Sequence, residues 1–171
     1  KDKLDPVMPV RLTMETLALL DIPRRHTLVM PGHGWRPSEP GLIKIITDAA
    51  IKREDGKGGA GGVAHSPVYF LGAWSKPYPG VMDPLIAEVM AVREGVIFAN
   101  LRGFSNVMLE TDCLEVVKLW NTRHDSRSAV APILVEIGEL AGSLNSFDIH
   151  HVVRSATTPL IYVRSILARL T

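Results

Sequence analysis

Residues 43–48, Ile-Lys-Ile-Ile-Thr-Asp, combine β-branched side chains with an aspartate at the carboxyl end of the run. β-Branched residues favour strands, and here both alternating sets of side chains are mostly apolar. A strand that is apolar on both faces is typical of the middle of a covered sheet. We therefore predict a central strand at residues 42–50, with Asp48 near its carboxyl end.

The segments that follow alternate between strand and helix patterns. Two short strands at 61–65 and 68–74 complete a predicted meander. Asp83-Pro84 is a helix-start signal, and Gly103 is a helix-stop signal. The remaining predicted elements are a strand at 106–111, helices at 114–121 and 129–144, a strand at 147–153 and a helix at 162–170. A helical crossover after the meander brings the fourth strand beside the first, which predicts an α/β fold with a mixed sheet flanked by helices.

The composition excludes several classes of protein. With 171 residues, 46% hydrophobic and 22% charged, the chain is long enough for one globular domain and is not disordered. The single cysteine, Cys113, cannot form an internal disulfide, so a reducing compartment, nuclear or cytoplasmic, is favoured. No apolar run reaches the roughly 20 residues of a membrane helix, so we expect no membrane partner. The net charge of +1 disfavours tight, indiscriminate nucleic-acid binding.

The chain divides into two parts in our prediction. Prolines and glycines interrupt residues 1–34, which predicts an irregular leader or linker, whereas residues 35–171 form one domain. No acidic residue follows Asp148, so the end of the chain is a short basic tail. Because the sequence begins at Lys1 rather than at methionine, we expect it to be part of a longer chain.

Three carboxylates stand out by their positions. Asp48 lies near the end of the first strand, Glu88 in the first long helix, and Asp112 just after the fourth strand. If the first and fourth strands are neighbours, these side chains converge at one edge of the sheet, where oxygen ligands suit Mg²⁺ or Mn²⁺. Two such ions can promote phosphodiester hydrolysis. The alternative is that each acid is a solvated turn residue or a helix cap, with Asp112 capping the helix at 114–121.

Several short motifs occur in an order that resembles a known family. They are Trp-Arg-Pro-Ser-Glu-Pro-Gly-Leu-Ile-Lys-Ile-Ile-Thr-Asp at 35–48, Gly-Ala-Gly-Gly-Val at 59–63, Ala-Glu at 87–88, Leu-Glu-Thr-Asp-Cys-Leu-Glu-Val-Val at 109–117 and His-Val-Val-Arg-Ser-Ala at 151–156. In this order, the motifs resemble the ribonuclease H-like domains of plant non-LTR retroelements and their host-gene relatives. The resemblance extends over most of residues 35–171.

That resemblance implies a five-stranded mixed sheet with strand order 3-2-1-4-5 and helices on both faces. It also implies hydrolysis of the RNA strand of an RNA–DNA hybrid, with Mg²⁺ or Mn²⁺, two ions in all, bound by Asp48, Glu88 and Asp112. Recognition of the hybrid would use 2′-hydroxyl and backbone contacts, with little sequence preference. We expect a monomer that belongs to a larger reverse-transcriptase-like chain.

The sequence also departs from the family pattern. Ile46 and Ala49 stand where the family has asparagine and glycine around the first aspartate. The fourth acidic position falls on Ile161 or Ser165, depending on the alignment, and neither binds a metal as a carboxylate does. We therefore expect weak hydrolysis. The alternative is a catalytically inactive domain that binds nucleic acid or acts as an interaction module.

Four residues are candidates for contacts with nucleic acid: Lys52, Arg53, Arg154 and His151. Lys52 and Arg53 follow the first strand, where a solvated hairpin tip is the alternative. His151 and Arg154 belong to the last of the family motifs, where His151 or the preceding His150 could partly compensate for the missing acid. The alternative for His151 is an ordinary strand residue.

Other residues favour structural roles. Trp74 and Trp120 fit the core or a sheet face better than base stacking. Cys113 lacks an activating neighbour, which favours a buried small residue over a nucleophile. The glycines at 58–59 and 61–62 predict a tight turn rather than a phosphate loop, because no Gly-Lys-Ser/Thr follows them.

Overall fold

The computed structural model describes residues 41–124 and 127–153. The helices and strands of this part are β1 (Ile43–Lys52), β2 (Lys57–His65), β3 (Phe70–Pro77), α1 (Pro84–Leu101), β4 (Asn106–Thr111), α2 (Leu114–Asn121), α3 (Ala131–Ala141) and β5 (Ser146–His151). A 3₁₀ turn, Arg53–Asp55, connects β1 to β2. The predicted leader at 1–34 and helix at 162–170 lie outside the described residues.

The strands form one five-stranded mixed sheet in the order β3-β2-β1-β4-β5. β1 is antiparallel to β2 and parallel to β4, β2 is antiparallel to β3, and β5 is parallel to β4. β1 is therefore the central strand, as its two-sided apolar pattern predicts. The predicted fold class and strand order are confirmed.

Helix α1 begins and packs as its sequence dictates. The Asp83 carboxylate accepts a hydrogen bond from the Ile86 N–H at 3.1 Å, and proline occupies the first turn. Small residues recur every four positions and are placed along the helix at Ala87, Ala91, Gly95 and Ala99. A methyl group added at Gly95 would lie 2.9 Å from Leu109 Cδ1 and 3.0 Å from Thr47 Cγ2. The small side chains thus bring α1 close to β1 and β4.

The three helices of the described chain cover the same face of the sheet. One core cluster joins α1, α2 and α3 to Leu109 and Ile149, which are register partners on β4 and β5. A second cluster joins α1 to the β1–β3 meander around Ile45 and Trp74. Trp74 is 2% exposed and Trp120 6% exposed, which confirms their predicted core positions. Among the residues described, the opposite face carries no helix.

The glycine-rich segment corrects one prediction. Gly58, Gly59, Gly61 and Gly62 lie within β2, not in a tight turn, so β2 begins at Lys57 and not at residue 61. The reason is tertiary, because the Trp74 ring lies over Gly62, where an added Cβ would be 2.6 Å from the indole nitrogen. The bounds of β1, β3, α3 and β5 also differ from the predicted 42–50, 68–74, 129–144 and 147–153, by one to three residues at each end.

Candidate metal centre

Two of the three candidate acids lie where β1 and β4 separate. The parallel pairing of these strands ends at the pair Ile46–Glu110. Asp48 lies two residues further along β1, and Asp112 follows the last residue of β4. A crevice forms where neighbouring strands of a mixed sheet diverge, and ligand sites favour this position. Both acids therefore lie just beyond the end of the β1–β4 pairing, and we call the place where these two strands separate the crevice.

Glu88 reaches the same place from the first turns of α1. Ligand oxygens of Asp48, Glu88 and Asp112 all lie within 4.8 Å of one another. Asp48 is 2% exposed, and the other two side chains are partly buried. The Asp48 carboxylate also accepts a hydrogen bond from the Ala49 N–H at 3.1 Å. The predicted convergence of the three acids is confirmed.

The helix-cap alternative for Asp112 is wrong. Helix α2 begins at Leu114 and has Cys113, not Asp112, at its N-cap position. The Cys113 N–H donates to the Thr111 hydroxyl at 3.2 Å, so a threonine holds this turn. Asp112 is thus placed beside the helix start and contributes its carboxylate to the acidic group.

The three carboxylates fit a divalent cation. Like charges this close repel one another, and a bound cation removes that repulsion. An all-oxygen set of ligands suits a hard cation such as Mg²⁺ or Mn²⁺ and lacks the nitrogen or sulfur ligands that zinc prefers. The donor set therefore matches a hard divalent ion.

Cys113 lies next to this site and is a poor nucleophile. Burial raises the pKa of its thiol, and the nearby carboxylates of Glu88 and Glu115 act in the same direction. A thiol with a raised pKa stays protonated at neutral pH, and only the thiolate is reactive. The half-buried position agrees with the structural role expected of this cysteine.

The three candidate nucleic-acid residues that the structure describes lie outside the acidic group. Lys52 ends β1 and pairs with Asp55 across the 3₁₀ turn, at 2.5 Å between Nζ and Oδ2. Arg53 is exposed in the same turn. His151 ends the edge strand β5 as the register partner of Thr111, and it too is exposed. Arg154, Ile161 and Ser165 lie outside the described residues.

The hairpin that carries Lys52 and Arg53 is attached to the loop that leads into α1. The Tyr78 N–H donates to the Gly58 carbonyl at 2.7 Å, and the Gly80 N–H donates to the Gly56 carbonyl at 3.0 Å. A side chain at Gly58 would meet the carbonyl oxygens of Val81 and Tyr78 at 3.1 and 3.2 Å. Because two backbone segments meet here, the hairpin has a defined position relative to the start of α1.

A group of mostly buried ionisable side chains below the crevice was not predicted from the sequence. Lys44 on β1 and Glu110 on β4 form an ion pair at 2.7 Å, with side chains 13% and 8% exposed. His65, on β2, is the register partner of Lys44 and is 2% exposed. Burial lowers the pKa of His65, partly offset by the Ser66 carbonyl and Glu110. The available signal was a lysine and a glutamate inside two otherwise apolar strands.

Solved structures share this fold. Ribonuclease H1 from the halophilic archaeon Halobacterium salinarum has a TM-score of 0.63 and 20% identity, over 74% of this chain and 93% of its own. The N-terminal ribonuclease H domain of a Mycobacterium tuberculosis protein has a TM-score of 0.65 and 18% identity, over 75% of this chain and 92% of its own. LC11-RNase H1, solved with an RNA/DNA hybrid, has a TM-score of 0.64 and 14% identity, over 74% of this chain and 97% of its own. The fold is that of a ribonuclease H-like domain.

The family follows from the sequence match. The model of the reverse transcriptase-like family matches residues 46–161, which is more than half of the chain. The chain belongs to this reverse transcriptase-like family. No curated protein matches it. In the part of the chain that the structure describes, no helix combines the length and apolar character of a membrane span.

Proposed function

We propose that this domain is a metal-dependent endonuclease that hydrolyses the RNA strand of RNA–DNA hybrids, and that it derives from a plant non-LTR retroelement. The observation that carries the proposal is the convergence of Asp48, Glu88 and Asp112 within 4.8 Å at the crevice of a ribonuclease H-like sheet. The LC11-RNase H1 structure with its RNA/DNA hybrid supports the substrate class.

Each acid would hold metal from a different element. Asp48 lies on the central strand, Glu88 on the crossing helix and Asp112 after the parallel strand, so three elements of the fold would contribute to the ligand set. Two divalent ions, Mg²⁺ or Mn²⁺, would supply activation of water and stabilisation of the leaving 3′ oxygen. The buried carboxylate of Asp48 has little freedom to reorient, which suits a metal ligand.

Four basic residues would hold the nucleic-acid backbone. Lys52 and Arg53 lie on the hairpin attached to the α1 loop, His151 lies on the edge strand, and Arg154 follows it in sequence. Contacts of this kind are independent of base sequence and weaken with salt. Loss of one phosphate contact, as in Arg53→Ala, lowers the slope of log affinity against log salt by about 1.

The sequence favours weak activity and supports a second candidate function. No acidic residue follows Asp148, so the fourth carboxylate of the family pattern has no counterpart. Three carboxylates bind metal less tightly than four, because the negative charge at the site is smaller. The second candidate is a catalytically inactive domain that binds nucleic acid on the same surface.

Cleavage of a hybrid with a labelled RNA strand, in Mg²⁺ and in Mn²⁺, separates the two functions. The wild-type chain is compared with Asp48→Asn and with the matched control Asp148→Asn, an exposed aspartate on β5. Cleavage by the wild type and Asp148→Asn, but not by Asp48→Asn, supports the nuclease. Hybrid binding without cleavage in either metal supports the inactive domain, and the absence of both contradicts both functions.

A further inference from the structure

The ion pair between Lys44 and Glu110 joins the two strands that carry candidate ligands. The Lys44 ammonium lies 2.7 Å from a Glu110 carboxylate oxygen, with side chains only 13% and 8% exposed. Lys44 is paired in register with Met108, and Glu110 is paired with Ile46. The ion pair is therefore a diagonal link between two register pairs of β1 and β4 that lie on the same face of the sheet, on either side of the Ile45–Leu109 pair.

The position of this link relative to the acidic group is specific. The Ile46–Glu110 pair is the last pair of the β1–β4 ladder, and the strands separate beyond it. Asp48 lies two residues past Ile46, and Asp112 lies two residues past Glu110. Neither Lys44 nor Glu110 belongs to the acidic group itself. The link therefore holds the strands together at the base of the crevice, directly before the acids.

Energetics suggest a role other than stability for such a pair. Burial of two charges costs desolvation energy that their attraction often fails to recover, and apolar residues of similar size commonly stabilise as well. A buried pair does, however, oppose changes in register. A slip of one residue would move Asp112 by about 3.3 Å along its strand and turn its side chain to the other face. Such a shift is comparable to the 4.8 Å span of the acidic group.

We propose that Lys44 and Glu110 are positioning residues of the metal centre, which fix the separation of Asp48 and Asp112 by locking the last pairs of the β1–β4 ladder. The inference rests on the proposed function, because it assumes that the acidic group binds divalent metal. It adds two residues that touch neither metal nor substrate.

Loss of charge and loss of position change the metal affinity in opposite directions, so the two effects can be distinguished. The Lys44→Met substitution removes a positive charge, and by Coulomb attraction alone this would tighten the binding of a cation nearby. A change in the register of β1 and β4 weakens metal binding instead, since the three carboxylates no longer converge. Weaker metal binding in Lys44→Met is thus a positional effect.

The test measures Mn²⁺ binding to the full chain by calorimetry, together with the melting temperature in the absence of metal. We expect Lys44→Met to weaken Mn²⁺ binding about tenfold and Lys44→Arg to keep it within about threefold of the wild type. The double variant Lys44→Met/Glu110→Met restores the melting temperature without restoring Mn²⁺ affinity. Lys76→Met, which breaks a different ion pair with Glu94, is the matched control and lowers only the melting temperature.

Unchanged or tighter Mn²⁺ binding in Lys44→Met overturns the inference, as does an equal loss in Lys76→Met. Failure of the proposed function appears separately, in the wild-type chain. A wild type that binds Mn²⁺ but does not cleave a hybrid contradicts the nuclease and leaves the positioning role to be decided by the variants. A wild type that does not bind Mn²⁺ overturns both.

Discussion

Two glutamates on α1 lie six residues apart and have opposite surroundings. Glu94 is 4% exposed and receives the Lys76 ammonium at 2.8 Å and the Arg93 guanidinium at 2.9 Å. Arg93 also donates to Glu136 on α3 at 2.6 Å, so this network connects α1 to β3 and α3. Glu88 instead lies with Asp48 and Asp112, whose oxygens gather within 4.8 Å.

On one helix, the difference separates an acid that pairs with basic side chains from an acid that we propose binds metal. Burial of a carboxylate is tolerated when cations and hydrogen bonds compensate it, as they do for Glu94. Bringing three carboxylates together raises the free energy of the folded state unless a cation binds. Proteins accept such local destabilisation at functional sites, which agrees with the proposed role of Glu88 in the metal centre and with a structural role of Glu94.

The largest expected effect comes from Glu88→Gln. We expect hybrid cleavage to fall about 1,000-fold, or about 4 kcal/mol in transition-state free energy, because a metal ligand is lost. In metal-free buffer the variant melts at a higher temperature than the wild type, since one repelling charge is gone. Cleavage rates and thermal melting with and without Mg²⁺ measure both. Glu115 is an exposed acid on α2, and Glu115→Gln should change neither the cleavage rate nor the melting temperature. An equal loss of cleavage in Glu115→Gln would contradict the assignment of Glu88 as a metal ligand.

Glu94→Gln tests the other side of the comparison. The free energy of unfolding should fall by about 2 kcal/mol, because the charged hydrogen bonds from Lys76 and Arg93 weaken. Urea denaturation measures the loss, and the Mg²⁺-induced rise in melting temperature stays at its wild-type size. Glu136→Gln removes a partner that is 43% exposed, so its cost should remain below about 1 kcal/mol. Equal losses in the two variants would refute the distinction.

Gly95→Ala alters the helix that carries both glutamates. The new methyl group would lie 2.9 Å from Leu109 Cδ1 and 3.0 Å from Thr47 Cγ2, so α1 moves away from the sheet. We expect a loss of about 1–2 kcal/mol in the free energy of unfolding and a weaker response to Mg²⁺. Gly138→Ala on α3 is the control, since its nearest atom would lie 3.9 Å away. There the helix propensity of alanine should stabilise the fold, by up to about 1 kcal/mol.

The smallest effect concerns His65 on β2, which is the register partner of Lys44 on β1 and interacts electrostatically with Glu110 on β4. Burial lowers the pKa of this imidazole below its ordinary value of 6.5, so the unfolded chain binds a proton more readily than the folded one. The free energy of unfolding therefore falls as the pH drops below about 6.5. Urea denaturation at pH 7.5 and pH 5.5 should show a smaller difference in His65→Gln than in the wild type. The exposed His124→Gln keeps the wild-type difference, and a flattened profile there instead would contradict the assignment to His65.

Helices and strands with clear sequence signals at their ends were predicted well. β4 at 106–111 and α2 at 114–121 have the predicted bounds, and the predicted Asp83 cap of α1 accepts its hydrogen bond. The glycines of β2 misled the prediction, because glycine favours turns unless a neighbouring side chain needs the space. Here the Trp74 ring takes that space, and a partner from another strand leaves no trace in the local pattern.

By itself, the sequence determined the central strand, the start of α1 and the three acids able to share a cation. These properties depend on backbone preference, capping and side-chain chemistry, which act over a few residues. Only the tertiary structure decided that the acids meet within 4.8 Å, that Glu94 forms an ion pair with Lys76 and that Lys44 pairs with Glu110 below the crevice. Each of these depends on strand register and helix packing, which join residues far apart in the chain and set their electrostatics through burial.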